Sequence, residues 1–112
     1  MKLHQGLLAF LLFSSAMAGA AENFIVPNDL WMLPRSGTLI AQQPEIRQAV
    51  DIYLAQPDIK LIIHHGLRDE DTVYAEELRS WLLAMAVEPA RIELRNDLAA
   101  NSPLTIEIGK VK

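Results

Sequence analysis

A two-layer α+β sandwich of the broad α/β class is predicted, with element order β-α-β-α-β(-β) and both helices on one face of a small mixed sheet. Three observations predict it. The unbroken branched-aliphatic run Leu61-Ile62-Ile63 suits a strand that is covered on at least one face and central in its sheet. Apolar stripes at helical spacing lie before and after that run. At an offset of 32 residues, Glu45, Arg47 and Pro57 recur as Glu77, Arg79 and Pro89, so helix, proline turn and strand follow one another twice. Two successive strand-helix-strand crossovers satisfy this order, and their shared right-handedness puts both helices on the same side of the sheet.

Taken in order, residues 22–37 read as an irregular N-terminal arm leading into a short first strand. Leu30-Trp31-Met32-Leu33 lies there between Pro27 and the pair Pro34 and Gly37, and Pro34 ends any strand ladder. The domain proper spans 38–108. Pro44-Glu45 opens a helix, since proline is tolerated in the first turn and an acid favours the N-terminal dipole. Ile46, Ala49, Val50, Tyr53 and Leu54 follow on one face. The helix stops by Gln56, because Pro57 disfavours helical geometry in the residue before it. Gly66 ends the central strand, and Asp69-Glu70-Asp71 opens a second helix whose stripe is Tyr74, Leu78, Trp81, Leu82 and Met85. Ala90 to Leu94 alternates, with Ile92 and Leu94 on one side and Glu93 on the other, and Thr105 to Ile108 sets Ile106 and Ile108 against Glu107. Both read as half-exposed strands. Residues 109–112 read as a frayed tail.

The first 21 residues carry a different signal. Lys2, the seven-residue apolar run Leu7 to Phe13 and the small-residue stretch Ser14 to Ala21 have the order of a cleavable signal peptide. Seven apolar residues fall far short of the roughly 20 that span a bilayer, so no integral membrane segment is expected once the leader is cut before Ala21 or Glu22, and the periplasm is the expected location. The chain has 112 residues, 10 Lys+Arg against 14 Asp+Glu, and no cysteine. Removing 21 residues, Lys2 among them, leaves 91 residues and a net charge of −5. Without a Lys/Arg cluster, a nucleic-acid partner is excluded. No cofactor is called for either. The chain has no Ser or Cys nucleophile beside a base in a recognisable motif and no glycine-rich phosphate loop, and Glu76-Glu77 diverge on a helix. A non-enzymatic role follows.

The second half resembles the OmpA-like C-terminal domain, an envelope module that holds peptidoglycan. Leu61-Ile62-Ile63-His64-His65 is similar to that family's strand ending in Gly-His-Thr-Asp. Tyr74 with Leu78, and the stretch Trp81 to Ile92 with Val87 and Arg91-Ile92, resemble its helix end, valine turn and following strand. The likeness covers roughly 38–108. It implies a ligand held by an Asp just after the strand, which answers an ammonium, and an Arg on the second helix, which answers a carboxylate. Aligned through His65, the chain places Leu67 at the Asp. Aligned through Tyr74 and Leu78, it places Leu82 at the Arg, and aligned from Arg91-Ile92 it places Tyr74 there. Ala86 stands where the family has a helix-terminal glycine. The resemblance therefore implies a degenerate member that lacks the usual ligand-binding Asp and Arg, its pocket either absent or reassigned.

The candidate binding residues are His65, Asp69, Asp71, Arg79 and Trp31. His64 and His65 are neighbours on a strand and point to opposite faces, which argues against joint metal ligation and for one ring facing the helices and one facing solvent. A pH-sensing role is open to either. Asp69 or Asp71 with Arg79 is a substitute amine-and-carboxylate clamp at the carboxyl end of the central strand, where open α/β sheets bind ligands. The competing reading is an N-terminal acid cluster beside a solvated arginine. Trp31 belongs either to an exposed docking arm or to the core, against Trp81 or Tyr53. The expected function is a non-catalytic periplasmic interaction module, an accessory part of an envelope assembly with a protein partner. The alternative is a peptidoglycan-binding domain using shifted residues.

Overall fold

The computed structural model describes residues 22–111; the leader read in 1–21 lies outside them. The elements are β1 (Asn23–Ile25), a 3-10 turn (Asn28–Met32), α1 (Gly37–Gln42), α2 (Pro44–Ala55), β2 (Ile59–Gly66), α3 (Asp69–Ala84), a second 3-10 turn (Pro89–Arg91), β3 (Ile92–Leu98) and β4 (Thr105–Lys110). The sheet order is β1-β4-β2-β3. β4 is antiparallel to both β1 and β2, and β2 is parallel to β3. The sheet is thus mixed, β2 is internal, and the chain is an α+β two-layer sandwich.

One core joins the layers. Ile59, Leu61 and Ile63 of β2 and Ile106 of β4 pack with Ile46, Ala49, Val50 and Tyr53 of α2 and with Ala75, Leu78 and Leu82 of α3. All are buried. Both crossover helices therefore lie on one face, with the residues of even number in β2 turned to the other. The α2 start follows from its sequence: Gln43 Oε1 accepts from Ile46 N–H at 2.9 Å and Pro44 occupies the first turn. At its end, Gln56 is extended ahead of Pro57. Arg91 then ties this turn to the sheet: its Nε donates to Ile59 O at 2.8 Å, and its guanidinium lies 4.3 Å from the Tyr53 ring centre.

The chain differs from its sequence reading in four places. The strand read at Ala90 to Leu94 begins at Ile92, because Ala90 and Arg91 belong to the 3-10 turn that Pro89 opens, and it runs on to Leu98 in register with β2. The cluster Leu30 to Met32 is a 3-10 turn, and the first strand lies earlier, at Asn23–Ile25. Three consecutive residues at Asn28-Asp29-Leu30 close a turn after Pro27, with Leu30 N–H donating to Pro27 O, and burial of Leu30 and Trp31 holds it there. The short helix α1 has no counterpart in the sequence reading; Ser36 caps it, its hydroxyl accepting from Leu39 N–H at 3.1 Å. The tail is not frayed through residue 111, since Gly109 and Lys110 belong to β4 and Val111 N–H donates to Asp58 O at 2.9 Å.

The end of α3 shows the effect of an alanine where a glycine would fit better. Val87 N–H donates to Leu82 O and Ala86 N–H to Leu83 O, both at 3.1 Å, the paired bonds of a Schellman ending. This requires Ala86 to be left-handed, at φ 73°, where an L-residue with a Cβ is disfavoured by about 1–2 kcal/mol. Ala86→Gly is expected to stabilise the protein by about 0.5–1 kcal/mol, after the extra freedom glycine gives the unfolded chain. A urea midpoint that does not rise would contradict this.

Candidate functional site

Two regions carry polar chemistry: the carboxyl end of β2 and the sheet face turned away from the helices. At the first, the expected residues hold the fold together. His65 is buried at 5% exposure with Nδ1 2.8 Å from Gly66 O; a carbonyl only accepts, so this nitrogen carries the proton. Asp71, 6% exposed, accepts from Arg68 N–H and from Asn101 N–H, each at 3.2 Å. It staples the start of α3 to the β3–β4 loop. Asp69 is exposed in the first turn of the same helix.

The Asp-Arg clamp is not assembled. Arg79 lies ten residues after Asp69 and eight after Asp71 on one helix, about 15 Å and 12 Å along its axis. That is too far to seat an amine and a carboxylate carried on one carbon. A small cleft of about 200 Å³ does open here, among Asn28, Met32, Glu70, Asp71, Tyr74 and Asn101.

Trp31 is core, not an exposed arm, at 4% exposure. It stacks on Tyr74 rather than on Trp81 or Tyr53, with ring centres 5.3 Å apart and planes 12° from parallel. Arg35 holds the segment in place. Its Nη1 donates to Trp31 O at 2.7 Å and Leu33 O at 2.8 Å, and its Nε and Nη2 donate to Glu77 at 2.6 and 2.8 Å. Glu77 also accepts from Trp81 Nε1 at 3.0 Å. Bonding to Arg35 holds the Glu77 carboxyl below its usual range against the opposing effect of burial. Met32 and Leu33 are the members of the cluster left exposed.

The open sheet face carries a charged ladder. Lys60, Ile62 and His64 of β2 share it with Glu93 and Arg95 of β3 and Thr105 and Glu107 of β4, as their cross-strand registers show. His64 and His65 thus split between the two faces. Lys60 and Arg95 both bind Glu93, whose carboxyl they hold down to about 2, Arg95 contributing most. Beside this group, His64 is held at both nitrogens. Nδ1 lies 2.8 and 2.9 Å from the two oxygens of Asp97, and Nε2 lies 2.7 Å from Glu107 Oε1. Only the doubly protonated ring can donate to both carboxylates.

That geometry sets the charge of His64. Burial alone would push its pKa down, but its hydrogen bonds to Glu107 and Asp97 together outweigh that effect and hold the pKa above 6.5. The bond from His64 in turn holds Asp97 below 3.8. The two nitrogens point at different strands, and no group of three or more His, Cys, Asp or Glu among the described residues is arranged to hold a metal ion. Asp97 lies beyond the strand end that the sequence predicts, so the sequence reading misses it, and it places Glu107 on the outer side without a partner.

The clamp makes stability depend on pH. A raised histidine pKa contributes stability that is fully present below the unfolded value of 6.5 and is lost as pH rises through the folded value. The depressed Asp97 contributes above 3.8, and this is lost as pH falls through its folded value. His64→Gln is therefore expected to cost about 1 kcal/mol between these limits, as for a partly exposed charge-assisted bond. The cost should shrink above pH 6.5, as measured by urea unfolding of both proteins from pH 5 to 9. A difference that stays constant over that range contradicts the clamp.

Asp97, His64 and Glu107 also line a shallow concavity of about 500 Å³ with Asn23, Ile25, Leu98 and Thr105. Ile25 is 59% exposed. No helix among the described residues is long and apolar enough to cross a membrane. No protein-family model, curated protein or solved structure matches the chain.

Proposed function

We propose that this chain is a non-catalytic binding module of the cell envelope, delivered to the periplasm by its leader, and an accessory part of an envelope assembly with a protein partner. The observation that carries the reading is the uncovered sheet face. Its strands converge on one concavity of about 500 Å³ with ionised walls and an exposed isoleucine at its edge, a combination of fixed polar groups and apolar surface that suits recognition. The expected ligand residues at the end of β2 hold loops instead, with Asp71 bonded to two backbone amides. The OmpA-like resemblance supports an envelope role, and the absence of its Asp and Arg from the matching positions argues against the family's usual ligand.

A photo-crosslinking residue at Ile25, compared with one at the equally exposed Leu54 of α2, tests the reading in cells. A discrete adduct from position 25 and none from position 54 is expected. Equal adducts from both, or none, count against the proposed surface. Intact mass of protein from a periplasmic fraction checks the leader, and retention of residues 1–21 would overturn the location. The alternative, a cell-wall-binding domain, draws on the cleft at Tyr74 and Glu70. Sedimentation with purified sacculi decides it: the protein-partner reading expects the chain to stay in solution, and co-sedimentation that disappears in Tyr74→Ala would favour the alternative.

A further inference from the structure

We propose that the concavity on the open sheet face docks a lysine side chain of the partner polypeptide, its ammonium taken by Glu107 and Asp97 and its stem laid on Ile25 and Leu98. This rests on the binding-module reading and names what the surface recognises. Charge complementarity selects the occupant. Two carboxylates face one imidazolium, which leaves the trio one negative charge. The adjoining Lys60 and Arg95 both bind Glu93, a group with one net positive charge, so the face as a whole turns negative once His64 loses its proton. The Asp97 side chain is 49% exposed. Glu107 meets His64 through Oε1 alone, and no donor reaches its Oε2 among the described residues. Ile25 and Leu98 supply the apolar wall that an aliphatic stem covers, while Asn23 and Thr105 offer oxygens to the remaining ammonium hydrogens.

The same geometry rejects the near alternatives. A guanidinium prefers the paired oxygens of one carboxylate, but both Asp97 oxygens are turned to His64 Nδ1. An amine with a carboxylate on the same carbon, as at the end of a cell-wall peptide, would bring its negative charge against Asp97 and Glu107. The nearest cation that could answer it, Arg95, is bound to Glu93.

His64 is the resident cation with which the lysine competes. The charged groups on its face are Asp97, Arg95 and Glu93 of β3, Glu107 of β4 and, on its own strand, Lys60; β1 brings only the uncharged Asn23 and Ile25, and the helices lie on the opposite side of the sheet. As pH rises and His64 loses its proton, the site gains a full negative charge while the lysine stays protonated up to about pH 10. Affinity is therefore expected to rise between pH 6.0 and 8.5, by up to about fivefold, the factor that one further charge roughly 4 Å away supplies in water.

The test is an amide chemical-shift titration of the isotope-labelled protein with Nα-acetyl-lysine N-methylamide. Saturable shifts at Ile25, His64, Asp97 and Glu107 are expected, stronger at pH 8.5, absent with the Nε-acetylated probe, and abolished in Glu107→Gln and Asp97→Asn proteins whose spectra show a retained fold. Having two variants guards against one of them failing to fold. Absence of saturable shifts, equal response to the Nε-acetylated probe, or unchanged binding in a folded variant overturns the proposal. Tighter binding of free lysine, with its α-carboxylate, would also overturn it and point to a cell-wall peptide. A crosslink at position 25 without lysine binding would leave the binding-module reading standing and remove this one.

Discussion

Gly66→Ala is expected to lower stability by about 2–6 kcal/mol, a large part of the roughly 5–15 kcal/mol typical of a domain. Gly66 ends β2, where the register with β3 shifts between His64 and Gly66. A Cβ there would collide with Asp71 Oδ2 and stand 2.6 Å from Ala99 O and 2.9 Å from Asp71 Cγ. Neither neighbour can give way cheaply. Asp71 is held by the amides of Arg68 and Asn101, and Ala99 O accepts from Ser102 N–H in the β3–β4 turn. Overpacking costs about 1–3 kcal/mol, and unseating a buried acceptor adds about 1–3 kcal/mol for the amides it leaves. Urea unfolding measures the sum, and amide exchange at Asn101 and Arg68 reads the staple directly. A loss below about 1 kcal/mol, or unchanged exchange at those amides, would show that the junction is looser than its contacts.

This junction shows which part of the site could be read from the sequence. Asp69 to Asp71 announce the start of α3, and Gly66 announces the end of β2, because both are local signals. That Asp71 reaches Asn101, 30 residues away, is a tertiary fact with no local trace. The open face divides in the same way. Alternation puts His64 and His65 on opposite faces and turns Glu93 and Glu107 outward, since side-chain parity along a strand is a property of the strand itself. Register is not. Thr105 and Arg95 stand opposite His64, so Glu107 and Asp97 are each one diagonal step away, within reach of long side chains. A shift of one residue in either pairing would have dispersed the cluster.

The helices divide by length. α2 and α3, of 12 and 16 residues, are long enough to show a stripe, whereas α1 has six residues and one buried side chain, too few for any period. The 32-residue echo marks a recurring order of elements, not a repeat: α2 ends two residues before Pro57 and α3 ends five before Pro89. Leu30 to Leu33 misleads because four apolar residues in a row fit a buried strand and a buried turn equally well.

Trp31→Ala is expected to cost about 3–5 kcal/mol, the range for removing a large buried aromatic. It would strip the stack on Tyr74 and the ring lying 5.6 Å from the Arg35 guanidinium, and so loosen the 3-10 turn whose carbonyl Arg35 binds. One atom separates this from a generic core deletion: Trp31 Nε1 is buried without a hydrogen-bond partner among the described residues. A buried donor left unpaired costs about 1–3 kcal/mol, which Trp31→Phe removes while keeping a ring against Tyr74. The phenylalanine protein is therefore expected to recover most of the stability that the alanine protein loses, through relief of that penalty set against a smaller ring volume. Thermal and urea unfolding of the two variants measure the contrast, and acrylamide quenching of the Trp81→Phe protein, in which Trp31 is the sole remaining tryptophan, reads its burial. A docking arm would give the opposite pattern: strong quenching, and an alanine variant as stable as its parent. In the core arrangement, the residues left exposed at this end are Met32 and Leu33, so substitutions there should leave stability within about 0.5 kcal/mol.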